Sequence, residues 1–226
     1  MDPDLVSLLI TLKLASVTTL ALILLGTPIA WWLAQSQGIA RSIVEPLVAL
    51  PIVLPPTVVG FYLLIVFSPD SLPGSWWESA TGTTLAFSFP GLVIGSIIYS
   101  LPFYIQPLQV SFSSLRQELL EAASIDGASR WQRFRHVTWP QLAPTTFFIT
   151  VVSVIGGLQG GFEQARVVTG GGPAGSTTAL SYYIYNKMFQ DLDMGYAAAI
   201  SWVLFAFIFL ATALNWRFGR DQEVDL

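Results

Sequence analysis

From Leu14 to Leu33 the chain runs through 20 mostly apolar residues, and no other feature limits its fold so tightly. As a helix such a run covers about 30 Å, the thickness of a bilayer's hydrocarbon. In that medium every backbone amide and carbonyl needs an internal partner. Composition agrees: 53% of residues are apolar and 11% charged, where a soluble domain carries about a quarter charged residues. The net charge of −4 says little, because placement matters more than total in a membrane protein. With no cysteine there is no disulfide framework, thiol chemistry or Cys-type metal site. The single histidine, His136, stands among arginines and reads as a surface or headgroup residue rather than a ligand.

Taken in order, the first span covers about 5–33. A signal peptide is not expected, since Asp2 and Asp4 put the wrong charge ahead of it and the apolar stretch is too long. Lys13 is expected to snorkel to the interface, Gly26 and Pro28 to bend the helix, and Trp31-Trp32 to mark its far interface. The second span, about 42–67, holds Pro46, Pro51, Pro55 and Pro56. It is either a kinked packing helix or a helix broken beside a transport path. Ser68 to Ser88 lacks Lys and Arg and is expected outside. The third span, about 89–110, is interrupted by Pro102, Gln106, Pro107 and Gln109. The fourth, about 142–158, runs on into a glycine-rich polar extension, and the fifth, about 196–216, ends with Arg217 and Arg220.

Within that extension, Glu163 and Arg166 are spaced i, i+3 and are expected to pair at the outer interface in preference to binding substrate. The run Thr169-Gly170-Gly171-Gly172-Pro173 lacks the Lys-Ser/Thr of a phosphate-binding loop. It therefore reads as a flexible external loop that does not bind ATP. Tyr182, Tyr183, Tyr185 and Phe189 form an aromatic cluster, either an interfacial half-helix or part of a pathway. Arg41, Arg116, Arg130, Arg133, Arg135, Arg217 and Arg220 fall on one side of this layout. Only Lys13, Arg166 and Lys187 fall on the other, so the positive-inside bias predicts five spans with the N-terminus outside and the C-terminus inside.

Between the third and fourth spans lies a polar segment, Ser114 to Pro140, that reads as two short helices. Ser114 with Gln117 and Ser129 with Gln132 match capping boxes, and Gly127 stands where a positive φ ends the first helix. Trp131, Phe134 and Val137 recur every third residue until Pro140 is expected to stop the run. Chemistry alone leaves two uses open: docking into another protein's groove, or lying on lipid headgroups.

Glu121-Ala122-Ala123, Gly127 and Val137-Thr138-Trp139-Pro140 resemble, at matching spacing, the EAA loop of ABC importer permeases; Trp139 departs from that pattern's leucine. LVALPIVLPPTVVGFYLL (47–64) and YSLPFYIQPLQ (99–109) resemble the permeases of molybdate importers. From about Ser111 onward the chain is more similar to sugar importer permeases, in EAASIDGASRWQRFRHVTWPQLAPTTFF (121–148), FEQARVVTGGGPAGST (162–177) and YYIYNKMFQDLDMGYAAAI (182–200). Sugar permeases usually carry one more N-terminal span.

The resemblance implies an all-α type I importer permease, a single transmembrane domain over 1–226, in a bacterial or archaeal inner membrane. Implied partners are an ATPase subunit under the hairpin at 114–140, an extracytoplasmic binding protein, membrane lipid and a second permease subunit. That second subunit is a copy of the chain in the molybdate type and a different chain in the sugar type. No nucleic acid is implied. The chain itself is then no enzyme and holds no cofactor, ATP being bound by the partner. Glu121, Ala122, Ala123, Asp126, Gly127, Trp131 and Pro140 are the implied coupling residues; Pro51, Pro55, Pro56, Gln106, Glu163, Tyr182 and Tyr183 are pathway candidates. Molybdate or a similar oxyanion is the expected substrate, with a carbohydrate as the alternative. An intramembrane enzyme would want paired ionisable groups within the spans, and a passive channel would leave the capped hairpin unexplained.

Overall fold

The structure, a computed structural model, describes residues 2–115, 117–159 and 161–219. The expectations placed on Arg116, Gly160 and Arg220, and on the side chains of Gln117, Arg130 and Arg217, lie outside the described residues. Among the described residues every regular element is helical. Three helices among the described residues are long and apolar enough to cross a membrane, and one bent pair passes the same test together.

Helix α1 (Pro3–Ala21) continues through a π-turn, Leu22–Gly26, into α2 (Thr27–Gln35) as one rod of 33 residues. The widened turn falls just before Pro28, whose ring and missing donor a regular α-turn would not accept. Gly26 lets a neighbour close in: a Cβ there would stand 2.6 Å from the Tyr104 ring. One residue on, the Thr27 hydroxyl and the Tyr104 phenol share a 2.9 Å hydrogen bond.

The proline-rich stretch is two helices, α3 (Ile39–Val53) and α4 (Pro56–Phe67), meeting at 117°. The sequence explains why the break falls there. A residue before proline is pushed out of the α region, and Leu54 and Pro55 both precede prolines; both are extended, with ψ of 138° and 140°. Glu45 and Leu50 each precede a single proline and stay inside α3, so it is the two successive prolines, Pro55 and Pro56, that break the pair.

Helix α6 (Phe89–Ser113) is the centre of the bundle. Its Tyr104, Ile105, Leu108 and Phe112 pack with Leu22, Ala30 and Leu33 of the first rod and with Leu142 and Ile149 of α9 (Trp139–Gln159). The bent pair climbs its length. At the hairpin end Gln109 Nε2 donates to Glu45 Oε1 at 2.9 Å; at the far end Phe67 lies beside Gly91. Those positions on α6 are 18 residues apart, about 27 Å of helix. Between Phe67 and α6 lies a short helix that the sequence reading passes over, α5 (Leu72–Thr81). The Ser71 hydroxyl accepts from Gly74 N, Pro73 occupies its first turn, and Gly82 closes it with φ of +71°.

Helix α12 (Met194–Gly219) is the least covered: only 11% of its apolar window is buried. Trp202, Phe205 and Phe209 run along it exposed, a face suited to lipid or another subunit rather than water.

Gln109 is buried and Glu45 is the acceptor for its amide. Glu45 also accepts from Arg41 Nε at 3.0 Å. Glu45→Ala is therefore expected to destabilise the folded chain by about 1–3 kcal/mol, the cost of stranding a buried donor. Adding Gln109→Leu removes the stranded group and is expected to restore most of the loss. Thermal unfolding of both variants in detergent checks this; an equal loss in the double variant rules it out.

Candidate translocation cavity and coupling hairpin

Between the mid-sections of α1, α6 and α9 lies a cavity of about 350 Å³. Thr18 and Thr19 face it from α1, Ser96, Tyr99 and Ser100 from α6, and Ser153 from α9. Its remaining wall is the turn Gly161 to Gln164, which includes α10 (Phe162–Gln164). Most of this wall is apolar, so its hydroxyls stand out. Elsewhere in the bundle helix hydroxyls donate to the carbonyl four residues back: Thr11 to Ser7, Ser111 to Pro107, Ser201 to Ala197. Thr18 and Ser96, 5% and 7% exposed, make no such bond, and their oxygens are buried without a partner.

Glu163 lines the same cavity. Among the described residues no ion pair joins it to Arg166, so the expected pair is absent. Arg166 instead lies over the rings of Tyr185 and Phe162, at 4.8 and 5.8 Å. Cation–π contact of that kind holds a guanidinium without a carboxylate. Turning Arg166 onto the rings leaves Glu163 free to face inward.

The glycine-rich run is not a loose loop. A π-turn, Ala165–Thr169, follows α10 and packs against α4, and Thr169 and Thr177 are 1% and 0% exposed. Thr177 Oγ1 lies 2.7 Å from Gly172 O and 2.8 Å from Thr169 Oγ1, its one proton shared between them, and Thr178 Oγ1 donates to Gly171 O. The segment then docks on the first rod, where Leu180 N donates to Thr11 Oγ1 at 2.7 Å. Threonines at 169, 177 and 178 were the available signal, since hydroxyls can satisfy a turn's carbonyls as a ladder would.

The other pathway candidates separate. Pro56 borders a small crevice shared with Tyr99, Glu163 and Gln164. Pro51 is buried inside α3, Pro55 forms the break, and Gln106 is exposed on α6, away from the cavity lining. Tyr182 of α11 (Leu180–Tyr185) packs with Leu14, Leu92 and Ala165. Tyr183 belongs to a polar knot at the far end. There the Tyr196 hydroxyl donates to Asp4 Oδ2, joining the starts of α1 and α12. Lys187 pairs with Asp191 at 2.8 Å, which holds its ammonium above the usual lysine range. Burial, with the Asp4 carboxylate beside it, pushes the Tyr183 hydroxyl up to about 12. Like any tyrosine it is protonated at neutral pH, and the shift keeps it so further into alkaline solution. Lys13 lies over the Phe89 ring at 4.6 Å, its cation cushioned rather than paired.

At the other end, the hairpin consists of α7 (Gln117–Ile125) and α8 (Arg130–Arg133). Gly127, at φ of +80°, closes α7: Ala128 N donates to Ala123 O at 3.0 Å and Gly127 N to Ser124 O at 3.1 Å. These two bonds are the Schellman pattern. The second capping box is complete, with Ser129 N donating to Gln132 Oε1 and Gln132 N to Ser129 Oγ. The Ser114 hydroxyl donates back to Ser111 O at the end of α6, and its expected box with Gln117 lies outside the described residues.

Pro140 does not stop the run. α8 passes through a π-turn, Phe134–Thr138, directly into α9, with Pro140 in the first turn of that helix. Proline is acceptable in a first turn because its missing donor costs little there, and the widened turn before it makes room for the ring. Along this passage Trp131 stacks on Phe134 at 5.7 Å, and Phe134 meets Trp139 in a tilted contact at 6.2 Å. Glu121, Trp131, Arg133 and Phe134 line an open groove between the hairpin and Trp31 and Gln35 at the end of α2. Ala122, Ala123 and Asp126 stay on the exposed side of α7 or close to it.

Residues 26–222 match the family described as binding-protein-dependent transport system inner membrane component. The chain belongs to that family. The permease is 37% identical to the molybdenum transport system permease protein ModB of Azotobacter vinelandii, over 92% of each chain. It is 32% identical to the sn-glycerol-3-phosphate transport system permease protein UgpA of Agrobacterium fabrum, over 92% of this chain and 72% of that one. Its fold matches a chain of a bacterial ABC transporter involved in import of the acidic polysaccharide alginate, with TM-score 0.80 and 20% identity, over 100% of this chain and 81% of that one. It also matches a chain of the inward-facing MetNI methionine ABC transporter, with TM-score 0.70 and 15% identity, over 98% and 99%. The fold is that of an all-helical ABC importer permease, a multi-pass membrane component with no enzyme family indicated.

Proposed function

We propose that this chain is the pore-forming half of an ATP-driven importer for a tetrahedral oxyanion, molybdate or one like it. The observation that carries the reading is the match to ModB across 92% of both chains. A small cavity lined in part by serines and threonines supports it, because an oxyanion needs donors and little else. Five crossings are α1–α2, the bent pair α3–α4, α6, α9 and α12. The arginine-rich hairpin then faces the cytoplasm and the Asp4–Tyr196 knot faces outside. The chain has no ATP site of its own. An ATPase subunit meets the hairpin, and its closure shifts the bundle between inward- and outward-open states, while a binding protein delivers cargo from outside. A second permease subunit completes the path, a copy of this chain in the ModB-like case.

A carbohydrate is the second reading. Tyr99, Phe103 and Phe162 supply ring faces in the cavity wall, and Glu163 supplies an acceptor for hydroxyls. The test is ATP hydrolysis by the reconstituted complex. Molybdate-loaded binding protein is expected to stimulate it, whereas stimulation by a neutral sugar alone favours the second reading. Hydrolysis that ignores this chain altogether defeats both.

A further inference from the structure

We infer that Lys13 and Arg166 form a capture site for a tetrahedral oxyanion at the outer mouth of the cavity between α1, α6 and α9. This deepens the oxyanion reading and rests on it.

Both cations are exposed, and among the described residues neither pairs with a carboxylate. Rings hold them instead: Lys13 stands 4.6 Å over Phe89, and Arg166 lies 4.8 Å over Tyr185 and 5.8 Å over Phe162. A ring face positions a cation without cancelling its charge, so the ammonium and the guanidinium keep charge and donors for a ligand. The three rings pack around one buried cluster, Leu14, Leu92, Ala165 and Tyr182. That cluster closes one end of the cavity. Leu14 and Phe162 belong to both, and α6, which begins at Phe89, lines the cavity only from Ser96. A Cβ on Gly161 would stand 2.9 Å from Leu14 Cδ2, so the turn carrying Phe162 and Arg166 is seated on α1 one residue from Lys13.

The charge around this mouth is of the opposite sign. With the Asp4–Tyr196 knot outside, the outer surface carries Asp2, Asp4, Asp70, Glu78, Asp191 and Asp193. Its other cation, Lys187, is taken up by Asp191 at 2.8 Å. A dianion is repelled by such a surface except where positive charge is left uncompensated, and that place lies over the cavity. Fields of this kind steer a charged ligand and concentrate it at an entrance. Glu163 lines the cavity within, but two cations against one carboxylate leave the mouth positive. A neutral carbohydrate gains nothing from this field. A phospholipid headgroup offers the same tetrahedral oxyanion chemistry, so the two sources are separated below.

The full chain in phosphatidylcholine nanodiscs, without binding protein, is dialysed to equilibrium against molybdate at low salt. Saturable binding is expected, and Lys13→Gln with Arg166→Gln is expected to raise the Kd about tenfold, the scale of lost charge-assisted hydrogen bonds. Lys13→Gln alone, about threefold weaker, carries the test if the pair folds poorly. Arg166→Lys keeps a cation on the rings and is expected to bind within about twofold of the unaltered chain. The same is expected of Lys187→Gln, whose charge Asp191 already cancels. Failure of molybdate to bind the unaltered chain overturns the inference, as does equal affinity in the glutamine pair or an equal loss in Lys187→Gln. So does a bound phospholipid, counted by native mass spectrometry, that disappears in the glutamine pair while molybdate affinity holds. None of these results decides the oxyanion reading, which stands or falls on ATP hydrolysis stimulated by molybdate-loaded binding protein.

Discussion

Gly127→Val is expected to abolish ATP-driven uptake while the chain still inserts in the membrane at its normal level. Gly127 holds φ of +80° at the turn between α7 and α8. A β-branched residue is strongly disfavoured there, by more than the roughly 1–2 kcal/mol that an ordinary L-residue loses. A Cβ at this position would meet nothing within 4 Å, so the effect is one of backbone conformation and not of crowding. The Schellman bonds from Gly127 and Ala128 open, and α7 loses its fixed angle to α8. Gly127→Asn, which tolerates the same conformation, is expected to retain most uptake. Glu121→Lys, which reverses a charge lining the hairpin groove, is expected to match Gly127→Val. Uptake assays beside membrane-fraction immunoblots decide this. Full uptake in both the valine and the lysine variants removes the hairpin from the coupling role.

Gly60→Val is expected to cost the fold roughly 3 kcal/mol or more, at the upper end of what overpacking a tight contact does. A Cβ on Gly60 would lie 2.5 Å from Val167 Cγ1 and 3.0 Å from its Cβ. The contact matters because it seats the Ala165–Thr169 π-turn against α4 beyond the break in the bent pair. Pushing that turn away also displaces Glu163 and Gln164 from the cavity wall. A lowered unfolding temperature in detergent is the expected reading, with much of it recovered by adding Val167→Ala. An unchanged midpoint for the single variant rejects the contact.

Much of the hairpin was legible because its signals are local. A serine and a glutamine three apart, and a glycine after an apolar run, act within one turn of chain, so Ser129, Gln132 and Gly127 do what their types dictate. The same locality explains the break at Leu54-Pro55, which two successive prolines impose. Its angle and its consequence were not local. Spacing also misjudged Glu163 and Arg166: at i, i+3 they are able to pair, but the aromatic rings of α10 and α11 compete for the guanidinium and win. A proline rule that concerns the interior of a helix predicts a stop at Pro140, whereas the chain starts a new helix around it.

By itself the sequence determined that this protein lives in a bilayer, builds helices, and carries a capped polar hairpin between two of them. Each of those follows from short-range physics: apolar length, internal hydrogen bonding, and the φ preferences of a few residues. Only the tertiary structure decided that Gly161 to Gln164 folds back to wall a cavity, and that two hydroxyls on different helices are left without partners there. Which atoms go unsatisfied depends on what every neighbouring helix has already bonded, and no stretch of chain contains that information alone.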